Sequence, residues 1–124
     1  MGTTATRVAE ASGATAAVKV DSGCPVNISD TALTKRMLPT LQWAAGAKNV
    51  YEMGVNLASE DFSYFAQRAA GMFANLGVVP AGQDPAKAAS SHSPLFFADE
   101  QALPIGVRTM ATLAQDYLAG NGGR

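Results

Sequence analysis

The spacing of hydrophobic positions changes several times along the chain, and each change predicts an element. Residues 6–12 (Thr-Arg-Val-Ala-Glu-Ala-Ser) read as the end of a helix, with Gly13 placed to cap it. Residues 14–20 alternate around Val18 and Val20, which predicts a strand, and Asp21-Ser22-Gly23 is a turn signal. Cys24-Pro25-Val26-Asn27 should be an extended connector, because a proline pushes the preceding residue out of the helical region. Ser29 or Asp30 can cap the next helix, where Leu33, Met37, Leu41 and Ala44 or Ala45 recur at helical spacing. Pro39 should kink or split that helix, and Gly46 should end it.

Residues 49–53 form a short strand candidate and 54–57 a loop. Ser59 is placed to cap a helix over about 60–70, with Glu60 and Asp61 in the first turn, where the helix dipole favours carboxylates. Phe62, Phe65, Ala66 and Ala69 share its apolar face. Residues 71–79 read as a buried strand bounded by glycine, and 80–93 as a long polar loop of the kind that is functional or disordered. From Asp99 a strongly amphipathic helix carries Leu103, Val107, Met110, Ala111, Ala114, Tyr117 and Leu118 along one side, before a frayed tail over 119–124. Pro104 is tolerable near its start. Helices alternating with strands predict an α/β fold.

Composition narrows what such a fold could do. The 124 residues fit one domain of ordinary size, and 48% hydrophobic against 15% charged content argues against disorder. Much of that apolar content is alanine and glycine, and a surface of small residues can lie against something else. Nine basic residues against ten acidic ones leave a net charge of −1, so nothing draws the chain to nucleic acid or anionic lipid. The N-terminus has no apolar run of signal-peptide length and no segment approaches the ~20 residues that span a bilayer. The reading is a soluble chain without a membrane partner, its cytoplasmic location favoured. The single cysteine, Cys24, allows neither an intrachain disulfide nor a cysteine-based zinc cluster. With no neighbour to activate its thiol, it reads as a small buried hydrophobe.

Candidate chemistry is sparse. The one histidine, His92, lies in Ser91-His92-Ser93-Pro94. A loop histidine is ordinarily a surface or hydrogen-bonding group, but this one follows a predicted strand, where α/β folds collect ligand-binding residues. The flanking serines could orient its ring. Glu60 and Asp61 could act as a general base or metal ligand, or could simply satisfy the first amides of their helix. Neither phosphate-binding glycine pattern, G-x-G-x-x-G or G-x-x-x-x-G-K-[ST], is present. A catalytic zinc takes three protein ligands plus water, and a two-metal site more. Without an H-x-H or H-E-x-x-H cluster, an autonomous metallohydrolase is hard to build from this chain.

Several short motifs, read in order, resemble the M20 peptidase/amidohydrolase family, in its aminoacylase, hippurate hydrolase and auxin-conjugate hydrolase branch. They are Gly13-Ala14-Thr15-Ala16, Pro25-Val26-Asn27, Met53-Gly54, Ser59-Glu60-Asp61-Phe62-Ser63-Tyr64-Phe65, Phe73-Ala74-Asn75-Leu76-Gly77 and His92-Ser93-Pro94 with Asp99-Glu100-Gln101-Ala102-Leu103-Pro104. The resemblance implies that residues 1–22 are the last helix and strand of a ferredoxin-like lid or dimerisation domain. By the same analogy, 23–124 are the C-terminal part of a zinc-peptidase-like α/β catalytic domain. His92 then matches the last metal-ligand histidine, and Glu60 and Asp61 match the segment lining the substrate side. The implied parent hydrolyses the amide bond of a small N-acyl amino acid or peptide with a divalent metal: zinc, manganese or cobalt. Its other ligands and catalytic glutamate lie in a half absent from this chain, so no catalytic residue is assigned here, and the isolated chain is expected to be inactive, binding metal weakly or not at all. A non-catalytic α/β binding or interaction module derived from the scaffold is the alternative. A metal site assembled between chains from His92 and carboxylates is a third reading. The helix-strand pair at 6–20 lacks sheet partners, so association into a homo-oligomer is expected.

Overall fold

The computed structural model describes residues 2–56 and 58–120. Met1, the predicted loop end at Leu57, and the tail at 121–124 lie outside the described residues. Four α-helices organise the chain: α1 (Gly2–Ala11), α2 (Thr31–Ala45), α3 (Phe62–Ala66) and α4 (Leu103–Leu118). Three single 3-10 turns, Ala47–Asn49, Pro85–Lys87 and Glu100–Ala102, punctuate the connections. Among the described residues there is no strand.

Local signals account for most helix boundaries. At the end of α1, Gly13 takes φ 71°, and the Gly13 and Ala14 amides donate to the carbonyls of Glu10 and Ala9, both at 3.0 Å. That pairing satisfies two carbonyls a helix end would otherwise strand. Asp30 caps α2 by accepting from the Leu33 amide at 2.7 Å, and Gly46 ends it with φ 87°. Asp99 accepts from the Gln101 amide at 3.0 Å, opening the 3-10 turn that leads into α4. Pro104 sits in the first turn of α4, where its missing N–H costs nothing.

Pro39 does not split α2, which runs unbroken from Thr31 to Ala45. The helix is held across it by packing on α4: Thr40 bonds Asp116, and Met37, Thr40 and Ala44, which straddle the proline, are all buried. The helix expected over 60–70 is shorter, ending at Ala66. Its last turn tightens, with Arg68 donating to the Phe65 carbonyl at 2.9 Å, and the chain passes Gly71 against the Phe62 ring. A Cβ at Gly71 would stand 3.0 Å from Phe62 Cζ, so any larger residue there would press on the ring.

The α2–α4 pair is the centre of the molecule. Thr40 Oγ1 donates to Asp116 Oδ2 at 2.8 Å, with both side chains buried. Arg36 lies over the Tyr117 ring, 5.0 Å from its centre, and Nη2 donates to the Tyr117 carbonyl at 3.2 Å. The guanidinium thus meets both an aromatic face and the negative end of α4. Residues 71–79 run across the starts of both helices. The Asp30 amide donates to the Gly71 carbonyl at 2.7 Å, and the Asp99 amide to the Val78 carbonyl at 2.8 Å.

Two expectations meet a different outcome. The segments 14–20, 49–53 and 71–79 form no strand ladder among the described residues. A strand needs a partner edge, which sequence alternation cannot supply. The second concerns α4. The face turned toward α2 carries Thr112 and Asp116, both buried, whereas Val107, Met110 and Leu118 on the apolar side are 71%, 69% and 83% exposed. Cys24 is half-buried. No helix among the described residues is long and apolar enough to cross a membrane.

Candidate functional site

His92 occupies a turn between the 3-10 turn Pro85–Lys87 and α4. Ser93 builds that turn from both directions. Its amide donates to the Ser90 carbonyl at 2.9 Å, while its Oγ accepts from the Leu95 amide at 3.1 Å and its carbonyl from the Phe96 amide at 3.0 Å. Ser93 therefore shapes the backbone rather than orienting the ring. The imidazole is exposed, and no described residue hydrogen-bonds it. Beside the turn lies a cleft of about 170 Å³ lined by Val79, Gln83, Lys87, Leu95, Phe96 and Phe97.

Glu60 and Asp61 flank the start of α3 in different roles. Glu60 is half-buried, and its Oε1 accepts from the Phe62 amide at 3.2 Å. Its carboxylate thus satisfies a first-turn amide of its own helix, one of the two roles open to it from the sequence. The Asp61 side chain makes no capping bond and is exposed, while its carbonyl accepts from the Tyr64 amide at 3.0 Å. Phe62 anchors the segment, its ring centre 5.5 Å from that of Phe73 and 6.3 Å from that of Phe65. Such tilted pairs hold a short helix that too few backbone bonds could stabilise alone. Tyr64 and Phe65 of the same helix are 52% and 71% exposed.

Among the described residues no three histidine, cysteine, aspartate or glutamate side chains gather closely enough to hold a metal ion. His92, Glu60 and Asp61 are therefore not assembled into one donor set. Two features went unread in the sequence. Thr40 and Asp116 form a buried polar contact, hidden because each looks like a routine polar position on an amphipathic helix. Ser63, two residues after Asp61, is fully buried with no hydrogen-bond partner for its Oγ among the described residues.

Comparison with known proteins covers nearly the whole chain. The family model for peptidase family M20/M25/M40 matches residues 2–116. The chain is 36% identical to IAA-amino acid hydrolase ILR1-like 2 of Arabidopsis thaliana over 95 residues, 76% of this chain and 21% of that protein. It is 34% identical to ILR1-like 4 of the same plant over 94 residues, again 76% and 21%. The putative amidohydrolase YhaA of Bacillus subtilis is 27% identical over 105 residues, 85% of this chain and 26% of that protein. The chain thus spans about a fifth to a quarter of the length of these curated relatives. No solved structure matches it.

Proposed function

The chain belongs to the M20/M25/M40 peptidase family, and from that premise we propose that it is the C-terminal part of an amidohydrolase acting on small N-acyl amino acids. The names of its plant relatives make an IAA-amino acid conjugate the first substrate to try. The observation that carries this reading is the His92 turn: a shaped backbone presents an unengaged imidazole to solvent. In this reading residues 1–22 are the remnant of a lid domain and 23–124 belong to the catalytic domain. The isolation of α1, which packs against no other helix among the described residues, supports that division.

Enzymes of this family generally use divalent metals, and the donors here do not fit a metal centre by themselves. His92 offers one nitrogen, Glu60 is engaged by its own helix, and no third donor joins them. The remaining donors and the group that moves the proton must come from polypeptide outside these residues. Within a complete unit, His92 supplies one ligand and the Glu60-Asp61 segment borders the substrate. The same shortage of donors favours one second reading, a non-catalytic module that kept the scaffold.

A chimera separates them. ILR1-like 2, with its matching stretch replaced by this chain, should hydrolyse an IAA-amino acid conjugate. His92→Ala should then lower turnover about 100-fold or more, since even outer partners of a metal ligand contribute 10- to 100-fold. A folded chimera without activity, or one indifferent to His92→Ala, would refute the assignment.

A further inference from the structure

We propose that the cleft beside the His92 turn, where three exposed apolar side chains meet the ammonium of Lys87, is a binding site for a small aromatic carboxylate. The site needs neither a metal nor turnover, so it goes beyond the amidohydrolase reading and is tested apart from it.

The cleft belongs to a long loop held by its own bonds. At the base of the loop the Asp99 amide donates to the Val78 carbonyl at 2.8 Å, which pins its two ends together. On one wall, Gly82 takes φ 82° and the Gln83 amide donates to the Pro80 carbonyl at 3.1 Å. Asp84 then caps the 3-10 turn Pro85–Lys87 by accepting from the Ala86 amide at 3.0 Å. The other wall, residues 95–97, leaves the turn that Ser93 builds by accepting from the Leu95 and Phe96 amides. Surface loops closed at the base and fixed by internal bonds are frequently functional.

The lining says what fits. The space between the walls is about 170 Å³, below the ~300 Å³ at which sites for drug-sized ligands begin, so it suits one ring with a small substituent. Leu95, Phe96 and Phe97 line it and are 81%, 41% and 67% exposed. Large apolar side chains left in water around one concavity are a surface that a planar apolar group would cover. Among the described residues lining the cleft, Lys87 is the one that carries a charge, and Gln83 adds an amide. Lys87 Nζ stands 4.0 Å from Asp84 Oδ2 in a pair that faces solvent. Such a pair holds its partners weakly and leaves the ammonium open to a second carboxylate. A ring for the apolar wall and a carboxylate for the ammonium therefore match both the shape and the charge of the site.

Sodium benzoate, titrated into the full chain and followed through backbone amide chemical shifts, is the direct probe. Saturation with a Kd of about 1 mM is expected for so small a ligand, with the shifts centred on Lys87, Phe96 and Phe97. Acetate, which lacks the ring, should bind about tenfold more weakly, and benzyl alcohol, which lacks the charge, about fivefold. Lys87→Gln should weaken benzoate about fivefold, and its side chain is 84% exposed, so the fold is not at stake. Asp84→Asn keeps a capping side chain and removes the competing charge, so it should tighten benzoate about twofold. Shifts that do not saturate by about 10 mM, or an affinity indifferent to Lys87→Gln, overturn the proposal. So do shifts centred on the groove between α2 and α4, or binding that His92→Ala abolishes and Lys87→Gln spares. None of these outcomes touches the amidohydrolase assignment, which the chimera tests by turnover.

Discussion

At the scale of single residues, the fold turns on one buried polar contact. Thr40 Oγ1 donates to Asp116 Oδ2 at 2.8 Å with both side chains almost fully buried. A buried carboxylate that loses one of its donors is costly, because its desolvation is less fully offset. Thr40→Val keeps the shape and removes the hydroxyl, so unfolding in urea should show a loss of about 1–3 kcal/mol. Thr40→Ser, which keeps the donor, should recover most of it. A Thr40→Val variant as stable as the parent would mean that Asp116 is satisfied without Thr40. His92 is the opposite case: exposed and unengaged, it is proposed to serve a site and not stability. Its position in a stiffened turn was legible from Ser-His-Ser-Pro. The scarcity of further imidazole or thiolate donors was legible from composition, with one histidine and one cysteine, whereas the placement of the ten carboxylates was not.

At the scale of elements, boundaries were readable and burial was not. Gly13, Asp30, Gly46 and Asp99 each act through a hydrogen bond or a positive φ within a few residues, so their effect is written locally. The apolar stripe of α4 was equally plain, yet periodicity says only that a side is apolar, never what covers it. The alternation in 14–20 likewise marks a segment able to pair, while the partner edge lies elsewhere in space. Pro39 shows tertiary packing overriding a local rule: its ring removes the amide that would bond the Lys35 carbonyl, and α2 continues regardless. Pro39→Ala should therefore stabilise the helix pair by about 1–3 kcal/mol in chemical denaturation. A destabilised variant would show that the proline ring itself is needed in the packing.

At the scale of the whole molecule, the chain has helices in place and little to enclose. Met37 and Ala44 are the apolar residues fully buried among those described. So small a core leaves most apolar surface in water, where burial would be worth roughly 25 cal/mol per Å². Under the proposed function, the exposed apolar surface and the scarcity of metal donors share one cause, a larger M20 unit of which these residues are part. Homo-oligomerisation, expected from the sequence, becomes in this view the competing outcome rather than the main one. The central claim is that His92 belongs to a site this chain cannot complete. Its most direct test is hydrolysis of an IAA-amino acid conjugate by the purified chain alone, with zinc, manganese or cobalt added in turn. The account expects no turnover above the metal-only background; robust hydrolysis that His92→Ala abolishes would contradict it.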